Sequence, residues 1–120
     1  MAVSNLILAA LAANLFQDTV NANTPIVVKG SAGTLYLIHI DNTLNGVPSF
    51  VKLYDTAAVV TVGTTAPDWI IKVPAGVKLP VPFVGGVAFA AGLQAATVTT
   101  GGTSGTTSPA SAVALSISYS

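Results

Sequence analysis

From Pro25 onward the chain is a succession of short runs rich in Val, Ile, Thr and aromatic residues, each closed by Gly, Pro, Asn or Asp. The runs are PIVVKG (25–30), TLYLIHID (34–41), SFVKLYD (49–55), AVVTV (58–62), WIIKV (69–73), VKLPVPF (77–83), GVAFAAG (86–92), LQAATVT (93–99) and AVALSISY (112–119). β-Branched and aromatic side chains fit a pleated surface, and the residues between them favour turns. Strands at this spacing point to an all-β antiparallel sandwich or barrel and away from βαβ units.

Three runs carry positional information. AVALSISY alternates strictly, with Val113, Leu115, Ile117 and Tyr119 on one face and Ala112, Ala114, Ser116 and Ser118 on the other. VKLPVPF places Pro80 and Pro82 on one side and Leu79, Val81 and Phe83 on the other. Proline has no N–H for a ladder, so this run reads as an edge strand protected against sheet addition. TLYLIHID puts Thr34, Tyr36, Ile38 and Ile40 on one face and Leu35, Leu37, His39 and Asp41 on the other. Both faces are largely apolar, which predicts a central strand covered on both sides, with the outer cover supplied by the arm or by a neighbouring subunit.

In SFVKLYD, Val51 and Leu53 face one way, and Phe50, Lys52 and Tyr54 face the other. Leu53 is expected in the core, whereas Lys52 is expected to be dispensable for folding. VPAG (73–76) reads as a turn. TTGGTSGTTSPAS (99–111) is low-complexity and uncharged, and reads as a mobile or partner-ordered loop. Residues 1–24 read as an N-terminal arm, and 25–120 as a single β-sandwich domain. Within the arm, SNLILAALAANLFQD (4–18) has a Ser4 N-cap and Ile7, Leu11 and Leu15 at spacing four, a pattern that suits a helix. Its apolar character extends nearly all round, which suits an arm that pairs as a strand with the body almost equally, so both readings stay open.

Hydrophobic residues make up 52% of the 120 positions and charged residues 7%, against about 25% charged in an ordinary soluble domain. Four lysines and four aspartates cannot cover the roughly 6,000 Å² that a compact single copy of this size exposes. With net charge at zero, such a surface calls for masking by other protein. The longest apolar run, Leu6 to Ala13, is too short to span a bilayer, and no positive side chain precedes it, so neither a membrane span nor a secretory signal is expected. Lys29, Lys52, Lys72 and Lys78 are scattered and arginine is absent, which argues against a nucleic-acid partner. Without cysteine there is neither a disulfide framework nor a thiolate metal site.

Sites of chemistry are scarce. His39 and Asp41 project to one strand face and could form a base–carboxylate or metal pair, but a working site needs further convergent groups. Asp18, Asp41, Asp55 and Asp68 lack the loop spacing of a calcium site. The glycines at 85–86 and 101–102 do not lead a strand into a helix, so they do not read as a phosphate cradle. Trp69, Tyr36, Tyr54 and Tyr119 could make a sugar-stacking platform, although core or interface packing is the commoner fate of such residues. No catalytic, cofactor-binding, metal or small-molecule site is assigned, and an enzyme is not expected.

SFVKLYDTA (49–57) after TLYLIHIDNT (34–43), followed by VGTTAP (62–67), KVPAG (72–76) and GGVAFAAGL (85–93), resembles in order and style small virion proteins of tailed bacteriophages. These are β-sandwich proteins of the capsid-decoration, or cement, kind. The resemblance implies a jelly-roll-like sandwich that forms a homotrimer, binds the major capsid protein on the capsid exterior and stiffens the head. It further implies synthesis in the host cytoplasm and no cofactor. A phage tail or fibre component, or a carbohydrate- or receptor-binding jelly roll, is the alternative. The apolar arm departs from what a protein recruited late from solution would carry.

Overall fold

The computed structural model describes residues 14–120. Its strands are β1 (Asn14–Asn21), β2 (Ile26–Lys29), β3 (Gly33–Asp41), β4 (Ser49–Tyr54), β5 (Trp69–Val73), β6 (Lys78–Phe89), β7 (Leu93–Val98) and β8 (Val113–Tyr119). They form two four-stranded sheets, in the orders β1-β8-β3-β6 and β2-β7-β4-β5. All neighbours are antiparallel. Every connection except β4 to β5 passes from one sheet to the other, which is the jelly-roll form of the antiparallel sandwich. The core lies between the sheets, where Ile38, Leu115 and Ile117 of the first meet Val51, Leu53 and Leu93 of the second.

The alternation of β8 appears as expected, with Val113, Leu115 and Ile117 buried and Tyr119 packed against the core. β6 is an edge strand, also as expected, and Pro80 and Pro82 face outward. It is longer than the sequence suggests, because VKLPVPF and GVAFAAG join into one strand. The join is an irregularity: Leu35 pairs with Val87, but Leu37 pairs with Pro82. The surplus residues of β6 loop out through Gly85 and Gly86, at φ 79° and 82°. Gly86 also lies against the Tyr36 ring, where an added Cβ would come within 2.9 Å of Cε1.

The same irregularity corrects the expected faces of β3. The register with β8 also shifts between Leu35 and Leu37, so Leu35, Ile38 and Ile40 all point inward. A bulge reverses the side-chain phase along a strand, and strict alternation read through Tyr36 misassigns everything before it.

The beginning of the sandwich takes the pairing-strand reading. Asn14–Asn21, placed by the sequence in an arm and in part in the segment open between helix and strand, is a strand paired with β8 from Asn14↔Tyr119 to Asn21↔Val113. Pairing there satisfies the side of β8 away from β3 and lets Phe16 pack on the core, which outweighs helix propensity. The remainder of the expected arm and of the helix candidate, residues 1–13, lies outside the described residues. AVVTV is not a strand. Gln94 Nε2 donates to the carbonyls of Thr56 (3.0 Å) and Ala58 (2.7 Å), which holds this segment as a loop with Val60 against Tyr54 and Ala96.

Candidate interaction surface

The two sheets are covered unequally on their outer faces. Over the two middle strands of the second sheet the chain supplies its own outer layer, so every residue of β7 is buried, while Val27 of β2 and Ile70 of β5 stay exposed at its edges. Part of that layer is the loop 99–111, which the sequence left mobile or dependent on a partner. Gly101 lies against the Phe50 ring, and Asn23 Nδ2 donates to the Thr106 carbonyl at 2.9 Å. Lys52 is beneath the loop with 0% of its surface exposed, and its Nζ donates to the carbonyls of Thr103 (3.1 Å) and Gly105 (2.8 Å). Lys52 is therefore on the predicted face but is not a surface residue. Burial away from water pushes the pKa of its ammonium down.

The outer face of the first sheet has no such cover among the described residues. Across it runs a row in which Leu15 of β1 stands beside Ser118 of β8, Ser118 beside Leu37 of β3, and Leu37 beside Pro82 of β6. The bulge in β6 lifts Val84 above this row with 98% of its surface exposed, and Leu15 at the other end is 64% exposed. Between bulge and sheet is an apolar groove of about 370 Å³ lined by Tyr36, Leu37, Pro82, Phe83, Val84 and Ser118, with Gly85. It contains no charged side chain. The ionisable groups of this face, His39, Asp41 and Lys78, lie toward its far end, with Asp41 some four residues (about 13 Å) along β3 from Leu37.

The aspartates considered for chemistry are engaged elsewhere. Asp41 accepts from Thr43 N (3.0 Å) and Thr43 Oγ1 (2.5 Å), and these bonds lower its pKa; Lys78 Nζ stands 4.0 Å away in a solvent-exposed pair. Asp18 accepts from Val20 N and Asn21 Nδ2, and Asp68 from Asp55 N at 2.6 Å. Among the described residues, no three His, Cys, Asp or Glu side chains converge as a metal site would need. The aromatic platform is not assembled either: Tyr54 is buried on the second sheet, Trp69 and Tyr119 pack against the core, and Tyr36 lies in the groove.

Asp55 has a structural task that the sequence did not announce. Its carboxylate accepts the N–H groups of Ala90 (2.8 Å), Ala91 (2.9 Å) and Gly92 (3.4 Å), closing the turn between β6 and β7. The bonds from Ala90 and Ala91 hold its pKa below the usual carboxylate value. A folded pKa below the unfolded one means that the unfolded chain binds the extra proton first. The stabilisation is therefore present above about pH 4 and disappears as pH falls through the folded value. Asp55→Ala is expected to lower the urea midpoint at pH 7 and to flatten the loss of stability between pH 4 and pH 2. An unchanged acid limb in that variant would show that the carboxylate does not contribute in this way.

No family model and no curated protein matches the chain. Among solved structures, one described as "Structure of infectious bursal disease virus Gx strain" is similar over 88% of this chain and 32% of that one, at 12% identity and a TM-score of 0.33. This chain therefore spans about a third of the length of the structure it matches, and a similarity of this size does not establish a shared architecture.

Proposed function

We propose that this protein is a structural component of a virion, a decoration protein that adheres to the outside of a tailed-phage capsid and stabilises the head without catalysing a reaction. The observation that carries the proposal is the uncharged groove and the uncharged row from Leu15 to Pro82 on the first sheet, which the described chain leaves uncovered while it covers the middle strands of the second sheet itself. A contiguous apolar patch of this kind marks a protein contact on an otherwise soluble domain. Three copies about a three-fold axis, with their grooves turned toward one another and toward the major capsid protein, would bury it. Adhesion through a symmetric oligomer multiplies modest contacts into high avidity. The exterior of the virion is the corresponding location.

The test is co-sedimentation of the purified protein with intact particles, alongside its mass in solution. Val84→Lys places a charge at the most exposed point of the groove, where it cannot disturb the core. It is expected to leave the melting temperature within a degree or two of wild type. Particle binding should fall at least about tenfold through desolvation of the new ammonium. Binding unaffected by Val84→Lys would remove the groove from the contact. Sedimentation with tails instead of heads would make the protein a tail or fibre component.

A further inference from the structure

Among the described residues the first sheet has two free edges, and they differ in one respect that decides what they can join. Backbone groups in an antiparallel strand point alternately to the two sides, so the direction of a few hydrogen bonds fixes that of all the others. Asn42 N donates to Val77 O at 2.9 Å, continuing the register in which Ile40 faces Leu79 and Ile38 faces Val81. The amides of residues 77, 79 and 81 therefore point at β3, and those of Lys78, Pro80 and Pro82 point away from the sheet. Two of these three outward positions are prolines, without a donor. Over Lys78–Pro82 the edge of β6 is closed to another strand, and beyond it the bulge at Gly85 and Gly86 breaks the line of the edge.

The edge of β1 is open. Thr34 and Ser120 exchange both of their backbone bonds, at 3.2 and 2.9 Å, so Ser120 faces β3, and the even-numbered Ser118 and Ser116 do likewise. Tyr119, Ile117 and Leu115 then face β1, where they pair with Asn14, Phe16 and Asp18. This leaves the N–H and C=O of Leu15 and Gln17 directed off the sheet, in an eight-residue strand with no proline. Among the described residues nothing pairs with them. The edges of the second sheet are shorter, four residues in β2 and five in β5.

We infer that the open edge of β1 pairs with β1 of a second copy, antiparallel about a two-fold axis. The occupant follows from the asymmetry. If β1 of one copy added to β6 of the next, the sheet would extend without limit, and Pro80 and Pro82 forbid that contact. Within this sheet the remaining self-pairing is open edge to open edge, and it closes after two copies. With Gln17 opposite Gln17, Leu15 meets Thr19 and Phe16 meets Asp18, so the two aspartates are not directly opposed. The Asp18 carboxylate is in any case occupied by Val20 N (3.1 Å) and Asn21 Nδ2 (3.0 Å). The axis stands perpendicular to the joined sheet, which puts both grooves on the same side.

This contact is separate from the proposed three-fold one and would join copies that belong to neighbouring trimers. Its test is backbone hydrogen exchange on the wild-type protein, followed residue by residue over a concentration series. The Leu15 and Gln17 amides are expected to exchange about a hundredfold more slowly once the protein associates, tracking Phe16 and Asp18. Fast exchange of both at every concentration, with Phe16 and Asp18 protected, overturns the inference. The companion variant is Gln17→Pro, which removes an outward donor and no bond to β8. It is expected to weaken the pairwise step at least about tenfold. Undiminished pairing in a folded Gln17→Pro protein would likewise overturn it. Val84→Lys leaves this edge intact, so loss of particle binding in that variant with pairing retained separates failure of the capsid reading from failure of this one.

Discussion

Leu53→Asp is expected to abolish cooperative folding at 25 °C. Leu53 has 0% of its surface exposed, stands between Ala95 of β7 and Trp69 of β5, and points into the core between the sheets. Truncating such a leucine to alanine alone costs about 2–5 kcal/mol. The carboxylate adds several kcal/mol of desolvation, and no cation lies within the apolar cluster to offset it. Together these match the roughly 5–15 kcal/mol by which domains of this size are stable. Circular dichroism should show no sigmoidal thermal transition, and the variant should accumulate as aggregate. A sigmoidal melt within a few degrees of wild type would mean that β4 presents its other face to the core.

That face assignment was legible because β4 obeys strict alternation, as does β8. Both are interior strands without a bulge, and the period of two carries through. The edge position of β6 was legible because proline has a single meaning in a ladder, whatever surrounds it. β3 was misread because Gly85 and Gly86 lie in a different strand, and nothing within TLYLIHID marks the point where its partner loops out. β1 stayed undecided between helix and strand for a related reason: alanine and leucine carry a helix preference, and the open side of β8 that recruits the segment is nearly a hundred residues away.

The candidate surface was legible in kind but not in place. The scarcity of charged residues raises the expectation of a cover over the apolar exterior, and TLYLIHID belongs to the sheet whose outer face the described chain leaves bare. Composition does not tell which sheet the chain covers for itself. That depends on 99–111, whose glycines, serines and threonines look like an unanchored loop until the partner of Lys52 is known. A lysine on the outer face of a strand ordinarily predicts solvent. Here it predicts the opposite, because two carbonyls of a loop fifty residues downstream receive its ammonium.

Lys52 therefore holds the cover in place, and its replacement separates the cover from the core. Lys52→Ala removes both ammonium bonds and leaves a gap beneath the loop, and is expected to lower stability by about 2–4 kcal/mol. Lys52→Met fills most of the same volume without a donor. It should lower stability by less than about 1.5 kcal/mol, because a buried charge is lost together with its partners. In both variants limited proteolysis should cut first between Thr99 and Ser111, while the wild-type loop resists. The pH dependence supplies an independent check. Burial lowers the folded pKa of Lys52, so the unfolded chain holds its proton to higher pH, and the unfavourable charge in the folded state is relieved as pH climbs from that lowered value toward 10.5. Stability should rise over that interval until about pH 10, where the phenol of Tyr54, raised by its own burial, begins to act in the opposite direction. Lys52→Met should lack the rise. A loop equally resistant to protease in all three proteins, with identical pH profiles, would show that the cover is held by its packing on Phe50 and not by the ammonium.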